Sequence, residues 1–144
     1  MSDTKINPRC RDEPPAGLLE GIKLFNAGEY FECHEVLEDI WRAEPDPVRA
    51  LYQGILQIGV AFHHLRRNNW RGAVKLLDGG SDKVGRFLPR CMGVETAPLH
   101  ASALTCLALL RDLDPEHVAD FDWSLIPTIR LTRKTNTSER DMPR

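Results

Sequence analysis

The sequence lacks most of the features that would place it in a familiar functional class. Its longest strongly apolar run, Gly54 to Phe62, contains Gln57 and is too short to cross a bilayer. The N-terminal MSDTKINPRCRDEPP has no apolar core, so no signal peptide is read there and a cytosolic location is expected. Lys and Arg total 19 against 21 Asp and Glu, a formal net charge of -2. A balance that close to zero supplies no overall field to recruit nucleic acid or an acidic membrane. Gly79-Gly80 lacks the Lys-Ser of a phosphate-binding loop, and no G-x-S-x-G nucleophile elbow occurs. The four cysteines, at 10, 33, 91 and 106, form no C-x-x-C pair, which removes zinc-ribbon and thioredoxin-type motifs. Cys33 and Cys106 sit among apolar helical residues and read as buried, reduced thiols. Cys10 falls in an N-terminal tail and Cys91 in a loop where nothing marks a nucleophile.

What is present is a chain of 144 residues, 42% hydrophobic and 28% charged, long enough to bury one core. Helical periodicity dominates and strand patterns are nearly absent. A first helix is expected from about Pro15 to Asn26, and a second from Glu29 to Ala43, where Pro45 and Pro47 stop it. A third follows, with Asp46 as its N-cap, and runs to about Arg67. A fourth starts near Trp70 and is expected to break or kink at Gly79-Gly80-Ser81. A fifth covers about Ala97 to Leu113, a short helical turn follows at Pro115 to Phe121, and Ser124 to Leu131 reads as an extended strap. Residues 1–13 and 132–144 read as disordered tails flanking a single domain over 14–131. A faint repeat appears at an offset of forty: Tyr30 matches Trp70, Cys33 matches Ala73, and Val36-Leu37 match Leu76-Leu77. The expected fold is all-α, a compact bundle of about five helices built from tetratricopeptide-like hairpins.

The chemistry concentrates on the second and third helices. His34 and Glu38 are four residues apart and share a face, with Glu35 beside Glu38. The third helix is apolar on two sides, which marks it as central, yet it carries a polar stripe of Gln53, Gln57 and His64. Left unpaired in a core, each such group costs about 1–3 kcal/mol. The expected partners are therefore His34, Glu35 and Glu38 across an antiparallel hairpin. His63 lies on a different face, open to either solvent or a partner. Arg66, Arg67, Arg71 and Lys75 form a basic corner that reads as solvated.

Three readings of this centre stand side by side: a structural hydrogen-bond network, a small-molecule pocket, and a divalent metal held by His34, Glu35, Glu38 and His64. The metal reading lacks the second His of H-E-x-x-H and the Glu-x-x-His spacing of di-iron bundles. No cofactor is otherwise evident.

The stretch FNAGEYFECHEVLEDIW, followed by LYQGILQ, resembles domain-of-unknown-function family 309. The matching positions are Phe25, Asn26, Gly28, Tyr30, Phe31, Glu32, His34, Glu35, Glu38 and Trp41, then Tyr52, Gln53, Gly54 and Gln57. The resemblance covers about residues 17–88 and implies a compact all-helical domain; it implies no particular activity, substrate or cofactor. The leading expectation is a non-enzymatic cytosolic domain that binds a protein partner or small ligand, with neither nucleic acid nor membrane involved. The alternative is a metal-assisted hydrolase using His34, Glu35, Glu38 and His64. A homodimer pairing apolar helix faces is a third.

Overall fold

A computed structural model describes residues 7–132. Five α-helices make up the described residues' main architecture: α1 (Ala16–Asn26), α2 (Tyr30–Ala43), α3 (Arg49–Arg66), α4 (Trp70–Val84) and α5 (Thr96–Asp112). Three-residue to six-residue 3-10 turns link and flank them, and the only β features among the described residues are two isolated bridges, Cys91–Val94 and Val94–Leu131.

The helices form two successive hairpins, α1–α2 and α3–α4, and the offset of forty read from the sequence is visible in the joints. Gly28 and Asn68 both adopt positive φ, 78° and 59°. In each joint the amide one residue further on reaches back to the last turn: Glu29 N–H to the Leu24 carbonyl at 2.9 Å, Asn69 N–H to the His64 carbonyl at 2.8 Å. These are the same left-handed helix termination, with glycine at one joint and asparagine, which tolerates positive φ, at the other. Tyr30 and Trp70 then open α2 and α4, and the paired Cys33/Ala73 and Leu37/Leu77 are fully buried.

α3 is the central rod. Leu51, Tyr52, Ile55, Ile58, Ala61, Phe62 and Leu65 are all buried along it. Phe25, Tyr30 and Phe62 meet edge to face or tilted, with ring centroids 5.5 to 6.3 Å apart, and lock α1 and α2 onto α3.

Three sequence expectations change. First, α4 has no kink: it runs unbroken through Gly79-Gly80-Ser81. Those glycines are there for contact. A Cβ on Gly80 would lie 2.8 Å from the Gly54 carbonyl oxygen, and one on Gly54 would lie 3.0 Å from that of Gly80. Backbones this close force small residues on both helices, whatever the helix-propensity cost. Second, the N-cap of α3 is Val48, not Asp46. The Asp46 carboxylate instead accepts from Arg9 at 2.8 Å. Third, residues 7–13, placed in a tail by composition, carry a 3-10 turn and a disulfide from Cys10 to Cys91. Local sequence gives no signal for a bond spanning 81 positions. The other cysteine reading holds: Cys33 and Cys106 are free and buried. The remaining tail expectations, over 1–6 and 133–144, lie outside the described residues.

The strap at the C-terminal side begins with a 3-10 turn at Trp123–Leu125 and then extends. The Asn26 side chain holds it. Its amide donates to the Ile129 carbonyl at 2.9 Å and its oxygen accepts from the Ile129 N–H at 2.7 Å.

Candidate functional site

α2 turns Tyr30, Cys33 and Leu37 inward, which leaves the opposite face to solvent. Phe31, Glu32 and Glu35 are exposed, and His34 and Glu38 are half-buried. His34 Nε2 lies 3.7 Å from Glu38 Oε1, and the other oxygen of Glu38 accepts from Arg42 at 2.9 Å. Trp41 sits half-buried near the end of the helix, with the Arg49 guanidinium 4.5 Å above its ring.

Gln57 and His64 of the α3 polar stripe make their hydrogen bonds to α4 and its N-cap, not to these groups. Gln57 Oε1 accepts from Lys83 Nζ of α4 at 3.1 Å. His64 Nδ1 is 3.2 Å from the amide nitrogen of Asn69, whose oxygen caps the start of α4 by accepting from Gly72 N–H at 3.0 Å. An amide nitrogen can only donate, so Nδ1 is the acceptor and the proton of the neutral ring is on Nε2. Burial, then the charges of His63 and Arg67, push the His64 pKa below its ordinary range, which favours that neutral ring. Gln53 is half-buried on the same stripe. The expected network of Gln53, Gln57 and His64 with His34, Glu35 and Glu38 is therefore split. The reason is the glycine contact: Gly54, Gly79 and Gly80 bring α4, not α2, against the stripe. None of the six is fully buried; the fully buried polar side chains among the described residues are Ser81 and Thr96.

A different grouping is assembled between α2 and α3. Phe31, His34, Val60, His63 and His64 line an open hollow of about 260 Å³. Phe31 is the bridge: its ring centroid is 6.1 Å from that of His34 and 6.0 Å from that of His63, and His63 is 6.1 Å from His64. His63 was the residue the wheel left open. Its position three residues after Val60, on the α2 side of α3, is the signal that placed it here. The pocket walls are mostly apolar, with imidazole nitrogens as the polar handles.

The donor atoms proposed for a metal do not converge. Among the described residues, the group of three or more His, Cys, Asp or Glu whose ligand atoms lie within 4.8 Å of one another is Asp114, Glu116 and His117, not His34, Glu35, Glu38 and His64. That group is exposed and already internally paired, with His117 Nδ1 2.6 Å from Asp114.

Several other motif residues serve the fold. Phe25, Tyr30, Tyr52 and Gly54 are buried. Gly28 turns the α1–α2 joint, and its carbonyl accepts from Arg66 at 2.9 Å while the Arg66 guanidinium lies 5.0 Å over the Tyr30 ring.

These features define a small all-helical domain with an imidazole-lined surface hollow, and no helix among the described residues is long and apolar enough to cross a membrane. Residues 18–76, from α1 into α4, match the family described as a domain of unknown function (DUF309). One relative is described as uncharacterized protein YpuF of Bacillus subtilis (strain 168), 46% identical over 65 residues, covering 44% of this chain and 37% of the relative. Another is an uncharacterized protein of Aquifex aeolicus (strain VF5), 26% identical over 53 residues, covering 36% of this chain and 16% of the relative. The chain thus spans well under half the length of either relative.

Proposed function

We propose that this chain is a non-enzymatic binding domain and that its recognition surface is the hollow around Phe31. The observation that carries this is Phe31 itself: a large aromatic side chain left 52% exposed beside an open, largely apolar pocket. Exposed aromatic surface next to a concave wall is the usual composition of an interface anchor. Its volume, about 260 Å³, is below the roughly 300–1,000 Å³ of sites that engulf a whole drug-sized molecule. It suits one apolar or aromatic side chain of a protein partner, with His34 and His63 edges available for a polar tip. The basic corner of Arg66, Arg67 and Arg71 at the same end favours a partner with acidic residues flanking the anchor.

The test is site-specific photo-crosslinking. A benzophenone amino acid at position 31 should trap a discrete adduct in cells of the source organism, and His63→Ala should abolish it. The same group at Leu104, which is 44% exposed on α5, should trap nothing. An equal yield from both positions, or none at 31, would overturn the reading.

A further inference from the structure

The segment ahead of α1 has a construction that the Phe31 hollow does not explain. Residues 7–14 contribute no fully buried side chain, yet the segment is tied down at several points. Cys10, partly exposed, is bonded to Cys91, which is fully buried. The Met92 N–H donates to the Cys10 carbonyl at 2.8 Å. Arg9 donates to Asp12 at 2.6 Å, to Glu44 at 2.9 and 3.1 Å and to Asp46 at 2.8 Å.

Beneath the segment lies Tyr52, 1% exposed, its hydroxyl donating to Met92 Sδ at 3.4 Å. On one side is a hollow of about 420 Å³ bounded by Cys10 to Pro14, Gly93 and Leu131. On the other is one of about 250 Å³ bounded by Arg9, Ile40, Glu44, Tyr52 and Met92. Asp12 and Glu13 of the strap border both hollows, and Tyr52 with Met92 lines the smaller one, the cleft under the strap.

The attachments differ in kind. The Arg9 pairs with Asp12 and Asp46 involve acids 47% and 52% exposed, where solvent and salt weaken them, while the two-pronged pair with Glu44, 12% exposed, is the firmer one. The covalent link is the strongest of these ties. We propose that Cys10–Cys91 is a reversible thiol–disulfide latch that holds residues 7–14 across this cleft, and that reduction releases the strap and opens the cleft over Tyr52 while the helices stay folded.

The chemistry balances with a low-molecular-weight thiol as reductant. Its thiolate attacks Cys10 Sγ, the accessible sulfur; a mixed disulfide forms there, and Cys91 leaves as thiolate and takes a proton. A second thiolate attacks the small-molecule sulfur of the mixed disulfide, releasing Cys10 as thiol and a low-molecular-weight disulfide. Two electrons and two protons pass from two thiols to the protein, and the same disulfide closes the latch by the reverse steps.

The full chain should be equilibrated in glutathione buffers of graded reduced-to-oxidised ratio, quenched with acid, alkylated and weighed, with parallel tryptic cleavage after Arg11 and far-ultraviolet circular dichroism. Cys10 and Cys91 should convert together, cleavage after Arg11 should run at least tenfold faster in the reduced form, and the helical signal should be unchanged. Cys10→Ser should be cut at the fast rate in every buffer. Three results would overturn the proposal: both thiols alkylated even in the most oxidising buffer, equal cleavage in the two forms, or loss of the helical signal on reduction, which would make the bond a staple of the fold.

Discussion

Adjacent glycines in α4 should respond to alanine with opposite signs. Gly→Ala inside a helix gains about 1 kcal/mol from backbone entropy and propensity alone. At Gly79 the new Cβ would meet Gln57 Oε1 at 3.3 Å and Lys83 Nζ at 3.9 Å, the hydrogen-bonded ends of two flexible side chains. Both can rotate away, so most of the gain survives and Gly79→Ala should stabilise by about 0.5–1 kcal/mol. At Gly80 the Cβ would stand 2.8 Å from the Gly54 carbonyl oxygen, 2.8 Å from Ile58 Cγ1 and 2.9 Å from the Ile58 amide nitrogen. Two of these are backbone of the central helix and cannot rotate, so α3 and α4 must separate along their crossing. Overpacking of that kind costs about 1–3 kcal/mol, and adding the lost close packing leaves a net loss of about 1–2 kcal/mol. Urea denaturation followed by circular dichroism reads the difference as midpoints moving apart at constant slope. A Gly80→Ala variant as stable as the parent would refute the close crossing and restore a kinked α4.

Three further outcomes follow from single contacts. Asn26→Ala removes both bonds to Ile129 and should cost about 1–2 kcal/mol, with amide exchange at Ile129 accelerated; continued protection of that amide would show the strap is held otherwise. Burial pushes the thiols of Cys33 and Cys106 up to about 12 and about 11, so a disulfide reagent at pH 8 should label neither until the chain unfolds, and prompt labelling of the native protein would contradict their burial. His64 should titrate below the ordinary histidine range and His117, raised by its bond to Asp114, above it. The sign for His64 is that the unfolded chain takes up its proton first as pH falls through about 6.5, so its contribution is full above that pH and lost below it. The His117 contribution has the opposite sense, present below its ordinary pKa and lost as pH rises through the raised one. Proton NMR of the two rings gives the order directly, and a reversed order would refute both environments.

The helices were legible because their causes are local. Apolar spacing, Pro45-Pro47 and the Gly28 joint are written within a few residues of where they act, and all five helices start within two residues of their expected positions. Glycine was misread at α4 because propensity is a local rule, whereas the reason for Gly80 is Gly54, on another helix. The same limit hid the anchoring of residues 7–13: Arg9 meets Glu44 and Asp46, and Cys10 meets Cys91, through separations no window covers. For the site, two of the six polar candidates fall at the Phe31 hollow. His34 and His64 do line one hollow, but Gln53, Gln57, Glu35 and Glu38 do not, because a wheel gives the face of a residue and not which neighbour that face meets.

The division of labour along α2 is what gives the Phe31 hollow its weight. The inward positions Tyr30, Cys33 and Leu37, with Ile40 and Trp41 packed beside them, close the core from α2 without Phe31. An outer face chosen for solubility alone would carry charge at every position, as Glu32, Glu35 and Asp39 do. Phe31 breaks that pattern, leaving aromatic area in water. His34, from the same helix, and His63, from the next, stand on either side of its ring, and Val60 backs the hollow with apolar surface. An aromatic residue that the core does not need, set beside a concave wall built by a second helix, keeps its apolar area in water until something else covers it. On that physical ground the outer face of α2, rather than the polar stripe of α3, is the partner surface we propose.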